Sequence, residues 1–322
     1  MTTIFTRRAS GIFAPDPEPL LLPSRNFALH GEITATLLRA KSGTVIRRWT
    51  FPNLLVDVLL NALGTNAVGY PGVGLEPDAT NYFAAGTGTT APTVANTALE
   101  AEIAGGRAAT TITHAFYVPG SPDYCRYTRQ GTFSTSQANG TIGEFGWLSA
   151  SSAGNMRARA IPKDGSGNPI TIVKTSATTL VLDWSVYIRP LQTDVVLVRT
   201  VSGVSYTMTA RAMGSSVATP AAYFFLSRGP HWGASLGARA SVFNARTASS
   251  VTGTAVTGVA TAYTNGSYQR EMTFTTQAMA AFAFLTNCGG GPTDAFCAMQ
   301  MQFVPSLPAG QPLKVTVSWA LV

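Results

Sequence analysis

Tyr127-Thr128-Arg129-Gln130-Gly131-Thr132-Phe133-Ser134-Thr135 returns later in the chain as Tyr268-Gln269-Arg270-Glu271-Met272-Thr273-Phe274-Thr275-Thr276. Three more matches follow in the same order. Phe145-Gly146-Trp147-Leu148 corresponds to Phe282-Ala283-Phe284-Leu285, and Met156-Arg157-Ala158-Arg159-Ala160-Ile161-Pro162 to Met299-Gln300-Met301-Gln302-Phe303-Val304-Pro305. Leu180-Val181-Leu182-Asp183-Trp184-Ser185 then corresponds to Val315-Thr316-Val317-Ser318-Trp319-Ala320. The offset stays near ~140 residues, about one domain length, which reads as an internal repeat.

The repeated segments carry strand periodicity. Met156, Ala158 and Ala160 fall on one face and Arg157 and Arg159 on the other; Met299, Met301 and Phe303 are likewise opposed by Gln300 and Gln302. Period-2 alternation places one face on a core and the other towards water or a partner. Trp184 and Trp319, each in the last strand of its unit, are expected as core anchors.

Outward from the repeat, short Thr-, Val-, Ile- and aromatic-rich runs separated by Gly, Pro, Asn and Ser fill most of the chain. No βαβ rhythm occurs, so the fold class expected is all-β: two related antiparallel β-sandwich units, with one short helix and an extended N-terminal arm. The units span 27–190 and 191–322, behind an arm at 1–26. Ile33 to Arg39 and Thr44 to Phe51 bracket Lys41-Ser42-Gly43 as a hairpin. The helix is expected over Leu54 to Leu63, with Leu55, Val58, Leu59 and Ala62 on one face and Gly64 as its stop.

In the arm, Pro15, Pro17, Pro19 and Pro23 exclude helix and favour extended backbone. Leu20, Leu21 and Leu22 form an apolar plug, and Arg7 and Arg8 add charge, so these five residues are the candidate docking site for a partner. On this reading the arm is dispensable for folding and required for attachment.

Charged residues are 11 % of the 322, against roughly 25 % in ordinary soluble domains. So little charge covers a fully solvated surface poorly, which points to a chain covered by neighbours in a homo-oligomeric assembly. The net charge is +7, but Lys and Arg are scattered, with Arg7-Arg8 and Arg47-Arg48 the nearest approach to runs. That argues against nucleic acid and for acidic neighbouring proteins. No segment approaches the length of a membrane span, and the opening residues lack the apolar stretch of a signal peptide. Cys125, Cys288 and Cys297 have neither disulfide-scaffold nor zinc spacing and read as small buried thiols made in a reducing cytoplasm.

Gly86-Thr87-Gly88-Thr89-Thr90-Ala91 fits the G-x-G-x-x-A turn of dinucleotide sites and follows a strand-like run, Asn81 to Ala85. Phosphate binding requires a helix N-terminus next; Pro92 follows instead, with only a short helix-compatible run from Asn96 to Ile103. A structural Gly-Thr loop is therefore expected, with no cofactor and no metal. Glu100 and Glu102, the closest acidic pair, suit a solvated edge better than acid–base work. No nucleophile elbow or metalloprotease motif is present, and non-enzymatic function is expected.

The apolar run Leu54 to Leu63, then Gly86-Thr87-Gly88-Thr89-Thr90-Ala91-Pro92, then Thr97-Ala98-Leu99-Glu100 resembles the opening module of tailed-phage tail-fibre, collar and minor tail structural proteins. Ile142-Gly143-Glu144-Phe145-Gly146-Trp147-Leu148, Met156-Arg157-Ala158-Arg159, Lys174 and the strand through Trp184 extend the likeness over residues 30–190, about half the chain. The second unit lacks the Gly-Thr-Gly loop, and the Pro-rich arm is outside the common pattern. The resemblance implies a virion structural protein of the tail, neck or fibre, contacting other virion proteins and assembling by symmetry, with no catalytic residues. The alternatives are a capsid decoration protein, or a module binding a host-surface glycan or receptor through aromatics such as Tyr263, Tyr268 and Trp232.

Overall fold

The computed structural model describes residues 19–21, 25–65, 81–118, 124–152, 156–189, 194–211, 237–240, 255–256, 258–275, 278–285 and 297–321. Strands dominate them, joined by one short helix. In chain order the first elements are β1 (Leu20–Leu21), β2 (Arg25–Arg39), β3 (Val45–Leu55), α1 (Asp57–Thr65), β4 (Tyr82–Gly86), β5 (Glu102–Val118) and β6 (Tyr124–Phe133). Next come β7 (Gly140–Ile142), β8 (Glu144–Leu148), β9 (Met156–Ala160), β10 (Ile172–Lys174) and β11 (Thr178–Arg189).

Eight of these strands form a closed antiparallel barrel, in the order β2-β3-β9-β8-β4-β5-β6-β11. The ring closes where β11 pairs with β2 from Thr178↔Arg39 to Arg189↔Ala28. The expected sandwich is thus corrected to a barrel. Inward alternation is identical in the two architectures, and only this last pairing, between segments far apart in the chain, distinguishes them.

An eight-stranded barrel has room for side chains and little else. Ile33, Ala35 and Leu37 from β2 and Leu180, Leu182, Trp184 and Val186 from β11 are buried, each Ile, Leu or Val contributing about 1.5–3 kcal/mol by leaving water. Trp147 and Trp184 meet edge to face at 6.0 Å, with Phe83 5.3 Å from Trp184 and Tyr127 stacked on Trp147. Several polar groups inside are bonded: Trp147 Nε1 donates to Asn81 Oδ1, and Arg129 donates to Tyr127 Oη and Thr110 Oγ1. Lys174 donates to Ser134 O and Asn139 Oδ1.

The remaining strands are β12 (Val195–Val201), β13 (Val204–Arg211), β14 (Gly237–Ala240), β15 (Ala255–Val256), β16 (Gly258–Ala260), β17 (Gln269–Thr275), β18 (Met279–Leu285), β19 (Cys297–Leu307) and β20 (Pro312–Leu321). Their neighbours follow the barrel's order. β12-β13-β19-β18-β14-β15 forms one sheet, as β2-β3-β9-β8-β4-β5 does; β16-β17-β20 follows the order β5-β6-β11. A register shift falls between Trp147 and Leu148 on β8 and between the matching Phe284 and Leu285 on β18. The closing pair has no described counterpart between β12 and β20. Instead β20 carries β1 and the start of β2 in parallel, Leu20↔Leu313 and Arg25↔Val317 through Leu29↔Leu321. Part of the segment read as an arm is therefore strand, and Leu20 and Leu21 spend their backbone on this chain. Arg7, Arg8 and Leu22 lie outside the described residues, as do Trp232 and Cys288.

α1 begins three residues later than the periodicity suggests, because Leu54 and Leu55 still pair with Arg159 and Ala158 of β9. It turns Leu59 and Leu60 inward and meets the later half of the chain. Trp319 Nε1 donates to Leu60 O, Tyr263 Oη to Asn61 Oδ1, and Tyr268 Oη to Asp57 Oδ1. Tyr263 also stacks on Trp319 at 5.9 Å. Tyr263 and Tyr268, which only the glycan-binding alternative would use as exposed platforms, are half-buried with their hydroxyls engaged.

Burial, then the hydrogen bond to Asp57 and that carboxylate's charge, push the Tyr268 hydroxyl up to about 12. A raised folded value means this stabilisation is complete below the ordinary tyrosine value of about 10 and is lost as pH rises towards 12. Tyr268→Phe is expected to cost roughly 1–3 kcal/mol at neutral pH. Urea unfolding at a series of pH values should also show a shallower fall in stability between pH 10 and 12 than in the wild type. Parallel curves for the two proteins would contradict the assignment.

Candidate functional site

The Gly86-Thr87-Gly88 loop, the segment ending at Glu100, and strands β8 and β9 converge on one carboxylate. Glu144 opens β8 with no exposure to solvent, so its charge must be met by donors. Gly88 N donates to Oε1 at 3.2 Å and Ala101 N at 2.8 Å; Glu100 N donates to Oε2 at 3.1 Å and Arg159 Nε at 2.8 Å. Arg159, 2 % exposed, spends its other nitrogens on Asn96 Oδ1 and Glu100 Oε2. Glu100 Oε2 accepts in turn from Thr90 N.

These bonds shape the loop from 87 to 101. Glu100 and Ala101 give their amides to Glu144, so the segment from Asn96 to Ile103 is not a helix; it runs irregularly into β5 at Glu102. The loop is seated by Thr87 N on Ala101 O and by Val94 O accepting from Asp57 N. A Cβ on Gly88 would stand 2.5 Å from Glu144 Oε1, and one on Gly143 would stand 2.6 Å from Gly88 O. The glycines are required by close approach of backbone to carboxylate and backbone to backbone.

The loop roofs the barrel's outer surface. Leu99 packs with Val56, Ala84, Leu148 and Met156 in a small second core outside the main one. For this reason β9 departs from its expected alternation: all five residues from Met156 to Ala160 are buried, with Arg157 at 6 % exposure. In β19 the alternation holds, with Met301 and Phe303 buried and Gln302 exposed. By the repeat, Ala281 and Gln302 stand where Glu144 and Arg159 stand. The ion pair is absent from the second set.

Chemically the site is saturated. Both Glu144 oxygens accept two bonds each and are sealed from solvent, so neither is open to a substrate. Hydrogen bonds from Thr90, followed by the charge of Arg159, hold the Glu100 carboxyl below its usual range. Glu102 pairs with Arg107 at 2.5 Å beside an open groove of about 430 Å³ lined by Tyr82, Ile103, Ser151 and Ser152. Among the described residues no three His, Cys, Asp or Glu side chains lie together as a metal site would need. The alternation of β9 places Arg159 on a face turned towards water or a partner and assigns Glu144 no role; the structure instead buries the two together. The available signal was a lone acid in the apolar run Phe145-Gly146-Trp147-Leu148, which demands a buried cation elsewhere.

No family model, no curated protein and no solved structure matches the chain.

Removing one partner leaves a buried charge uncompensated, so Glu144→Ala should cost about 3–5 kcal/mol in urea unfolding. Adding Arg159→Gln, which reproduces the Ala281 and Gln302 pair of the second set, should restore part of that loss. A double variant as destabilised as the sum of its singles would show that the two groups do not act together.

Proposed function

We propose that this chain is a non-enzymatic structural component of a tailed-phage particle, in its tail, neck or fibre apparatus, built from two related barrel-like units. The observation that carries the reading is the outer face of β12, β13 and β19. Val196, Val198 and Val304 are 60 %, 59 % and 58 % exposed, and register sets Val198, Thr207 and Val304 side by side across the three strands. In the first unit the strand corresponding to β19, β9, is buried along its whole length, with Met156 packed under Leu99 of the loop. An uncovered apolar face on a chain with so little charge suits a surface that neighbours cover.

The first unit supports the same reading: its interior is filled with aromatic rings, and its charged cluster is internally satisfied. The half-buried Tyr263 and Tyr268 weigh against a glycan-stacking module. The resemblance of residues 30–190 to tail-fibre, collar and minor tail proteins supplies the kind of particle.

Mass spectrometry of gradient-purified particles, with immunogold labelling by an antibody to the chain, tests the proposal. The protein should be present in fixed ratio to the major components, with label on the tail or neck. Label over the head would move it to capsid decoration, and absence from purified particles would overturn the virion reading.

A further inference from the structure

Residues 39–48 form a hydrogen-bonded, solvent-exposed hairpin tip. Arg39 N donates to Thr44 O and Gly43 N to Arg39 O, Gly43 takes a φ of 67°, and Ala40 N anchors the root on Ala177 O. Every residue from 39 to 48 is exposed. Arg39, Lys41, Arg47 and Arg48 place four cations in ten residues, about six times the chain's average density, and no acid occurs between Glu32 and Asp57. None of the four has a carboxylate partner among the described residues; Arg48 Nε bonds Thr36 Oγ1, and Arg47 lies over the Trp49 ring at 5.2 Å.

We infer that this hairpin is a docking finger for an acidic protein segment that carries an aliphatic residue beside its carboxylates. Three features select that partner. Alternation puts Val45 with Arg47 on one side of the ribbon and Ile46 with Arg48 on the other, so each side pairs a cation with an aliphatic group. The two aliphatics are 51 % and 48 % exposed, and burying them requires apolar atoms that a phosphate backbone does not offer. The Trp49 ring beneath Arg47 holds that exposed guanidinium in place on the ribbon, where a carboxylate can pair with it. The fixed hairpin reduces the ordering lost on binding.

The inference rests on the assembly reading for where the partner resides, but soluble probes test the surface itself, so absence from particles and absence of binding are separate results. The full-length protein is titrated into a fluorescent Glu- and Leu-containing dodecapeptide, poly-L-glutamate and a 16-base-pair DNA duplex, each at low and high salt. The mixed peptide should bind most tightly and weaken as salt rises. Lys41→Glu with Arg48→Glu should lower its affinity at least tenfold at an unchanged melting temperature. Val45→Ser with Ile46→Ser should weaken the mixed peptide several-fold while sparing poly-L-glutamate. Tighter binding of the duplex would overturn the inference in favour of nucleic acid. Absence of peptide binding, or charge reversal without effect, would also overturn it.

Discussion

A carboxylate sealed from water must be surrounded by donors, and most of the first unit's local irregularity follows from how Glu144 meets that demand. It draws amides from two separate stretches, around Gly88 and around Glu100, and the guanidinium of Arg159. The loop between those stretches is therefore held flat on the barrel, Leu99 is pressed into the outer core, and glycine is needed where backbone meets carboxylate. A Gly-Thr-Gly run that resembles a phosphate-binding turn is here a turn wrapped around an internal anion.

The same comparison explains how the two halves differ. They share strand order and the position of a register shift, yet the second set has Ala281 and Gln302 in place of the ion pair. On the outer face of β12, β13 and β19, Val196, Val198 and Val304 stand exposed. The first ring closes by β2 on β11, whereas β20 takes the chain's own beginning along its edge. One long strand thus serves both halves: Arg25–Leu29 lies on β20 and Ala28–Arg39 on β11.

What could be read from the sequence was local. Lys41-Ser42-Gly43 announces a turn because glycine supplies the positive φ, and Trp184 and Trp319 are buried as their strand positions imply. The four repeated segments are strands that pair in the same two couples, β6 with β11 and β8 with β9, then β17 with β20 and β18 with β19. Non-local features were illegible. Barrel closure depends on Thr178 finding Arg39 across most of the unit, and the burial of Arg159 depends on a carboxylate in a different strand. The helix start was misplaced because Leu55 serves a strand while fitting helical spacing, and Asn96 to Ile103 looked helical because tertiary acceptors for its amides cannot be seen in a local pattern.

Native-state hydrogen exchange at the amides of Gly88, Glu100 and Ala101 tests most directly whether this cluster is a structural clamp. A loop built to receive a ligand opens locally and exchanges far faster than the sheet beneath it. If Glu144 holds the loop as part of the fold, these three amides exchange as slowly as those of β8 and lose protection only on global unfolding. Fast exchange at all three, with β8 still protected, would contradict the account and mark the loop as an opening site.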